Sequence, residues 1–219
     1  MFDSTKEDLK DILRWAEEGR LQLPEFQRDY VWGDSDVRSL VASVAKGFPV
    51  GALLTLETGG EIEFKPRLLA GVPAKDVRPT ELLLDGQQRV TSLYQATRST
   101  TPVRTRTPKG TEVERFYFLD IKAAVAAGME FEDAIIGVPA DRIVRRNFGK
   151  EIVLDLSTPE GQFEHDAFPL NCIFDSRNWF YDWRDYWKAR GRDVSDLERD
   201  FDRGVVDPRH PLQDADHPP

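Results

Sequence analysis

The chain has 219 residues, 40% of them hydrophobic and 32% charged, which is typical of a globular protein with a buried core. Its net charge of −9 argues against binding nucleic acid or an anionic membrane through the overall field, so any DNA contact must be local or made by a partner. The lone cysteine excludes an internal disulfide and a cysteine metal cluster. Because there is no signal-peptide pattern and no apolar run long enough to span a bilayer, we expect a cytoplasmic protein with no membrane partner.

The chain is predicted to begin with a helix and a short strand. Ser4 and Glu7 match a capping box in front of an apolar stripe, which predicts a helix over residues 5 to 18. Alternating leucines then predict a strand over residues 21 to 23, and Pro24 prevents its continuation as a central strand.

The polar and aromatic segment after this strand is predicted to be a loop that carries chemistry. Gln27 and Arg28 lead it, and an arginine offers a planar fork of donors suited to phosphate oxygens. Tyr30 or Trp32 could stack on a base. The alternative is that these aromatic rings, with Phe26, anchor the core and that Arg28 is a solvated charge.

A second helix and a second strand follow. Asp34 or Ser35 is expected to cap the helix, which ends before Gly47. Composition predicts a strand over residues 52 to 56, and spaced prolines predict an irregular connection with one short strand over residues 61 to 80.

The next stretch is the one around which the chain is organised. The apolar run at residues 82 to 84 is typical of a buried strand, and Asp85 and Gly86 then form a turn signal. Helical spacing resumes at once, so a helix is predicted to begin near Gln87, and its free amides and positive dipole end, beside Arg89, suit a phosphate. Asp85 could hold a divalent cation or orient a water molecule. The alternative is that Asp85 caps the helix and that Arg89 pairs with a surface carboxylate.

Two basic segments occur later in this acidic chain, at residues 98 to 109 and 142 to 150. The first is predicted to be a loop that touches a nucleic-acid backbone or closes over a nucleotide, or else a solvated loop. Around these segments the sequence predicts strands over residues 115 to 119 and 152 to 156 and a short helix over residues 123 to 127.

The C-terminal part is predicted to be a helix followed by a tail. Aromatic residues at positions 179, 183, 186 and 187 share one helical face, which is typical of packing on the same or a neighbouring domain. We therefore expect a nucleotide-binding domain over residues 1 to 175, an aromatic helical extension over 176 to 203 and a disordered tail over 204 to 219.

The usual nucleotide-binding, hydrolase and metal-nuclease motifs are absent from the sequence. Three other segments have a specific order and spacing, and they read LPEFQRDYVW from Leu23, FPVG from Phe48 and LDGQQRVTSL from Leu84. Over roughly residues 4 to 170, the chain resembles the N-terminal domain of the GmrSD family of modification-dependent restriction endonucleases.

The resemblance implies a fold and an activity. The family is similar to the ParB and sulfiredoxin fold, which implies an α+β domain with a small mixed sheet flanked by helices, and Gly86 to Arg89 fill the position that holds phosphates there. It further implies a domain that binds and hydrolyses nucleotides and controls a DNA-cleaving partner in defence against phage. This chain has only three histidines, so the cutting part is expected in a separate domain or partner chain.

The hypothesis assigns a role to each candidate residue. Arg28 and Arg89 hold the phosphates, Asp85 holds Mg²⁺ or positions water, and Gln88 completes the catalytic set. The nucleotide-binding set is Gln27, Arg28, Tyr30, Gly86, Gln87, Gln88, Arg89 and Ser92. The alternatives are a non-catalytic module that binds DNA or a partner protein through the basic segments and the aromatic helix, and a subunit of a DNA endonuclease. The sequence leaves open whether the chain forms a homo-oligomer.

Overall fold

We analysed a computed structural model that describes residues 5–60, 64–126 and 129–203. The predicted Ser4 cap, the last residue of the helix predicted over 123 to 127 and the predicted tail over 204 to 219 lie outside these ranges. Helices and small mixed sheets make up the described chain, which confirms the predicted α+β class.

The first sheet has four strands and positions the candidate site. Its strands are β1 (Leu21–Pro24), β2 (Leu54–Glu57), β3 (Pro66–Arg67) and β4 (Glu81–Asp85), in the spatial order β2-β4-β1-β3. β1 and β4 are parallel neighbours, whereas β2 and β3 pair with them in antiparallel fashion. Because parallel strands end at the same edge of a sheet, the segments that follow β1 and β4 meet there.

Three helices share one hydrophobic core with this sheet: α1 (Leu9–Glu18), α2 (Asp34–Ala45) and α3 (Gln87–Thr97). The start of α3 at Gln87 confirms the prediction for that helix. The predicted start of α1 at residue 5 is wrong, because residues 5 to 8 are all polar and exposed and the helix begins only at its first apolar residue.

The predicted cap of α2 is also wrong by one or two residues. The N-cap is Gly33, whose backbone N–H donates to the Asp36 carboxylate at 2.9 Å, so neither Asp34 nor Ser35 has that position. Likewise, the strand predicted over residues 52 to 56 is β2, which begins two residues later.

The second sheet is built on one long strand. Its strands are β5 (Val103–Arg106), β6 (Glu112–Asp120), β7 (Ile135–Pro139) and β10 (Ala167–Pro169). β6 pairs with β7 along one edge and with β5 and β10 in succession along the other. The remaining elements of the described chain are α4 (Ile121–Val125), β8 (Ile143–Arg146), β9 (Glu151–Asp155), α5 (Pro159–Glu164), α6 (Ser176–Lys188), α7 (Ser195–Phe201) and short 3₁₀ turns.

The prediction that residues 98 to 109 form a loop is wrong in part, because this basic segment contains β5. Val103 and Thr105 are buried, and Arg104 and Arg106 alternate with them on the exposed side. Such alternation, with one face on the core, is typical of a half-buried strand. The prediction considered the charges of the segment and not this alternation.

The aromatic helix α6 packs against the core of this same chain, which is one of the two arrangements that the sequence predicted. Trp179, Phe180 and Trp183 are buried in one hydrophobic cluster with residues of α1, α2 and α3. The indole N–H of Trp183 donates to the wholly buried carboxylate of Asp166 at 2.9 Å, and Lys122 and Arg192 form ion pairs with the same group.

Candidate functional site

The candidate site is the corner where β4 turns into α3. Gly86 makes the turn with φ of 96°, and a Cβ there would lie 2.3 Å from the Leu53 side chain. The backbone conformation therefore favours glycine at this position, and any larger residue would also require the Leu53 side chain to move. No side chain of the described residues caps α3, so the alternative role of Asp85 as a helix cap is wrong. The first-turn amides are left to solvent or to a ligand.

Arg89 is fixed at this corner by the chain in front of β2. One terminal nitrogen donates to the Val50 carbonyl, and the other donates to the Ala52 carbonyl at 2.9 Å and lies 3.4 Å from the Asp85 carboxylate. Gly51 lies between these two carbonyls with φ of 92°, and a Cβ on it would be 2.5 Å from the guanidinium. Arg89 is thus a partly buried clasp on this loop, and its carboxylate partner is Asp85 on its own corner.

Three glutamine amides hold the segment after β1 against the same corner. Gln27 donates to the Leu83 and Leu84 carbonyls at 2.6 and 3.0 Å, and Gln87 donates to the Arg28 carbonyl at 2.7 Å. Gln88 donates to the Asp29 carbonyl at 3.1 Å and accepts the Val31 N–H at 3.0 Å. Both ends of the Gln88 amide are therefore used in joining this segment to α3.

Arg28 differs from Arg89 in having a free side chain. Its backbone carbonyl is held by Gln87 and by Arg67, but its exposed guanidinium has no hydrogen bond or ion pair with any described residue. A fixed backbone and an uncommitted guanidinium are what a site for an anionic ligand needs.

A cleft of about 340 Å³ brings most of the predicted site residues together. It is lined by Gln27, Arg28, Trp32, Leu84, Asp85, Gly86, Gln87, Gln88 and Arg89. Both arginines thus line the same cleft as the start of α3. The Asp85 side chain is 74% exposed at this cleft.

Two predicted residues lie elsewhere. Ser92 donates to the Gln88 carbonyl at 2.7 Å, so the Tyr30 hydroxyl is the donor in the 2.9 Å bond between these two side chains. Neither residue lines the cleft, and burial raises the pKa of Tyr30 to about 12. Their observed role is to fasten the segment after β1 to α3.

The prediction missed a larger groove of about 1320 Å³, which is also lined by residues of that segment. Tyr30 and Trp32 line it together with Gln95, whose side chain is 5% exposed and whose Oε1 has no hydrogen-bond partner in the described chain. Gln95 lies seven residues after Gln88, hence on the same face of α3, and this helical spacing is the signal that could have found it.

A Mg²⁺ ion is compatible with this cleft only if the ligand supplies much of its coordination. Among the described residues, no group of three or more histidine, cysteine or acidic side chains could hold a metal. Mg²⁺ is commonly bound by one or two carboxylates together with substrate phosphates and water, and Asp85 meets that requirement.

The described helices include none that is long and apolar enough to cross a membrane.

Comparison with known proteins places the chain in a family. Residues 9–203 match the family described as GmrSD restriction endonuclease, N-terminal domain. An uncharacterized protein of Methanocaldococcus jannaschii is 27% identical over 186 residues, which cover 80% of this chain but only 30% of that protein. Because the family match covers most of its length, this chain belongs to the family of N-terminal domains of GmrSD restriction endonucleases.

Proposed function

We propose that this domain binds a nucleoside triphosphate in the cleft at the start of α3 and hydrolyses it, as the regulatory part of a cytoplasmic DNA restriction system that acts against phage. The observation that carries the proposal is that Arg28, whose exposed guanidinium has no partner among the described residues, lines the same cleft as Arg89 and the uncapped first turn of α3. A triphosphate supplies the negative charge that this arrangement leaves unmatched.

The two arginines would contribute differently to phosphate binding. Arg28 is free to close on the terminal phosphates, whereas Arg89 already holds two loop carbonyls and would offer the ligand a fixed positive charge. The amides of Gln87, Gln88 and Arg89 would complete the cradle.

Hydrolysis requires water to attack the γ-phosphorus while the bond to the bridging oxygen breaks, which yields a nucleoside diphosphate and phosphate. Asp85 is the exposed carboxylate of the cleft and would orient that water or bind Mg²⁺, which neutralises charge on the phosphates when bound. For Gln88 we propose a positioning role, because both ends of its amide are hydrogen-bonded to the segment after β1.

The nuclease would reside outside this domain. The match covers 30% of the length of the Methanocaldococcus jannaschii relative, which leaves room for a further domain in that protein. In this system a further domain or a partner chain would carry the nuclease. The nucleotide bound in the cleft would then regulate that nuclease. The chain would contact DNA indirectly or through the nuclease partner. Self-association of the chain is compatible with this arrangement.

Calorimetric titration of the full chain with each of the four nucleoside triphosphates and Mg²⁺, followed by a phosphate-release assay, tests the proposal. We expect saturable binding of at least one triphosphate and phosphate release above the rate of a chain carrying Asp85→Asn. Triphosphate binding without phosphate release would refute the hydrolysis but not the binding site. Absence of binding for all four would refute the nucleotide site.

A further inference from the structure

The β8–β9 hairpin ends in a phenylalanine that is fully exposed in the described part of the chain. The two strands form a sheet by themselves, and residues 147 to 150 connect them. Phe148, in the middle of this turn, has a relative exposure of 107%. An apolar ring held fully in water loses the favourable free energy of burial, and a partner surface would restore it.

The backbone at this tip is strained. Asn147, Phe148 and Gly149 have φ angles of 51°, 56° and 87°, so three consecutive residues adopt the left-handed conformation. Glycine and asparagine tolerate that region, but for a bulky side chain it is a genuine outlier. Strained residues of this kind cluster at active sites, ligand clamps and switch regions.

Uncommitted positive charge flanks the ring. Arg146 and Lys150 lie two residues before and after Phe148, and both are exposed with no hydrogen bond or ion pair of their side chains to any described residue. The nearby Arg145 is paired with Asp141. In a chain of net charge −9, two free cations around an exposed ring indicate a polyanionic partner.

We propose that this hairpin binds duplex DNA, with Phe148 inserted as a wedge between stacked bases and Arg146 and Lys150 on the neighbouring phosphates. Apolar wedges between cationic side chains are a known means of unstacking and kinking a duplex. DNA is favoured over an anionic membrane because the chain belongs to a family of restriction endonuclease domains. The proposal is independent of nucleotide hydrolysis at the cleft.

The test uses the full chain at low salt with a short duplex that carries the fluorescent base 2-aminopurine. Anisotropy of an end label measures affinity, and 2-aminopurine emission reports unstacking. We expect emission to rise with the wild type and to stay flat with Phe148→Asn, which suits the left-handed backbone but has no ring. Loss of one stacked aromatic should weaken binding by about fivefold to a hundredfold. Phe148→Trp, which keeps an aromatic wedge, should retain both signals.

The flanking cations give a second readout. Arg146→Ala and Lys150→Ala should each reduce the slope of log affinity against log salt by about one, for every duplex sequence. Triphosphate binding without DNA should stay unchanged in all four variants, and none should unfold at a lower temperature, since these side chains form no hydrogen bond or ion pair with the described chain. Phe148→Asn should unfold at a higher temperature, because asparagine tolerates the left-handed backbone. That control separates this proposal from the one for the cleft.

Three results would overturn the wedge. The wild type could fail to bind DNA at low salt, or Phe148→Asn could match it in affinity and emission. The substitution could also leave DNA binding intact and abolish binding to vesicles that contain phosphatidylserine, which would identify the hairpin as a membrane contact.

Discussion

Replacing the two arginines of the cleft one at a time should separate ligand binding from folding. Arg28→Ala removes an exposed guanidinium that has no partner in the described chain, so the free energy of unfolding should change by no more than about 0.5 kcal/mol. Triphosphate turnover should nevertheless fall by about 10²-fold or more, because one charged phosphate contact is lost.

Arg89→Ala should have a different outcome. It removes two charge-assisted hydrogen bonds to the Val50 and Ala52 carbonyls from a side chain that is only 20% exposed. Such bonds contribute about 1.5 to 3 kcal/mol each, and partial solvent access reduces their sum to roughly 3 kcal/mol. For a domain of this size that lowers the melting temperature by about 6 to 12 °C.

Urea unfolding and phosphate release, measured on both variants and the wild type, supply the comparison. Arg28→Lys is the matched control: it keeps the charge without the fork and should retain part of the activity. Equal stability losses in the two alanine variants would refute the assignment of Arg89 as the clasp. Undiminished turnover in Arg28→Ala would refute the role of Arg28.

Three further predictions concern stability. Gly51→Ala should cost about 1 to 3 kcal/mol in urea unfolding, because φ is 92° and the new Cβ would meet the Arg89 guanidinium; wild-type stability would show that this loop adapts freely. Burial raises the pKa of Tyr30 from 10.0 to about 12, so the unfolded chain loses this proton first and stability should fall as pH rises from 10 to 12. Tyr30→Phe should flatten that fall by roughly 2 kcal/mol, and identical alkaline profiles would contradict the burial. Asp166→Ala should cost about 1 to 3 kcal/mol, because it leaves the buried Trp183 indole N–H without its acceptor and breaks the ion pairs with Lys122 and Arg192, and Asp166→Asn should cost less, because asparagine keeps hydrogen bonds and suits φ of 48°. An equal loss in both would show that only the charge matters.

Sequence reasoning found the β4–α3 corner because its determinants are local. A run of leucines, a glycine with positive φ and the onset of helical spacing lie within a few residues. The segment after β1 could be suspected from its polar and aromatic residues. That it meets the same corner follows from the parallel pairing of β1 with β4, a contact between residues some sixty positions apart in the chain.

The different tasks of the two arginines could not be read from the sequence. Arg89 has partners at Val50 and Ala52, which are supplied by a loop almost forty residues earlier. The partners of Gln27 and Gln88 are likewise distant backbone groups. Residue type indicates what a side chain can bind, but only the tertiary arrangement decides which bonds are already satisfied.

A crystal structure of the full chain with a slowly hydrolysed triphosphate analogue and Mg²⁺ would test the central claim most directly. We predict that the phosphates lie against the amides of Gln87 to Arg89, with the Arg28 guanidinium turned onto them and Asp85 beside the terminal phosphate. An analogue bound only in the larger groove near Gln95, or phosphates that do not contact Arg28, would contradict the account.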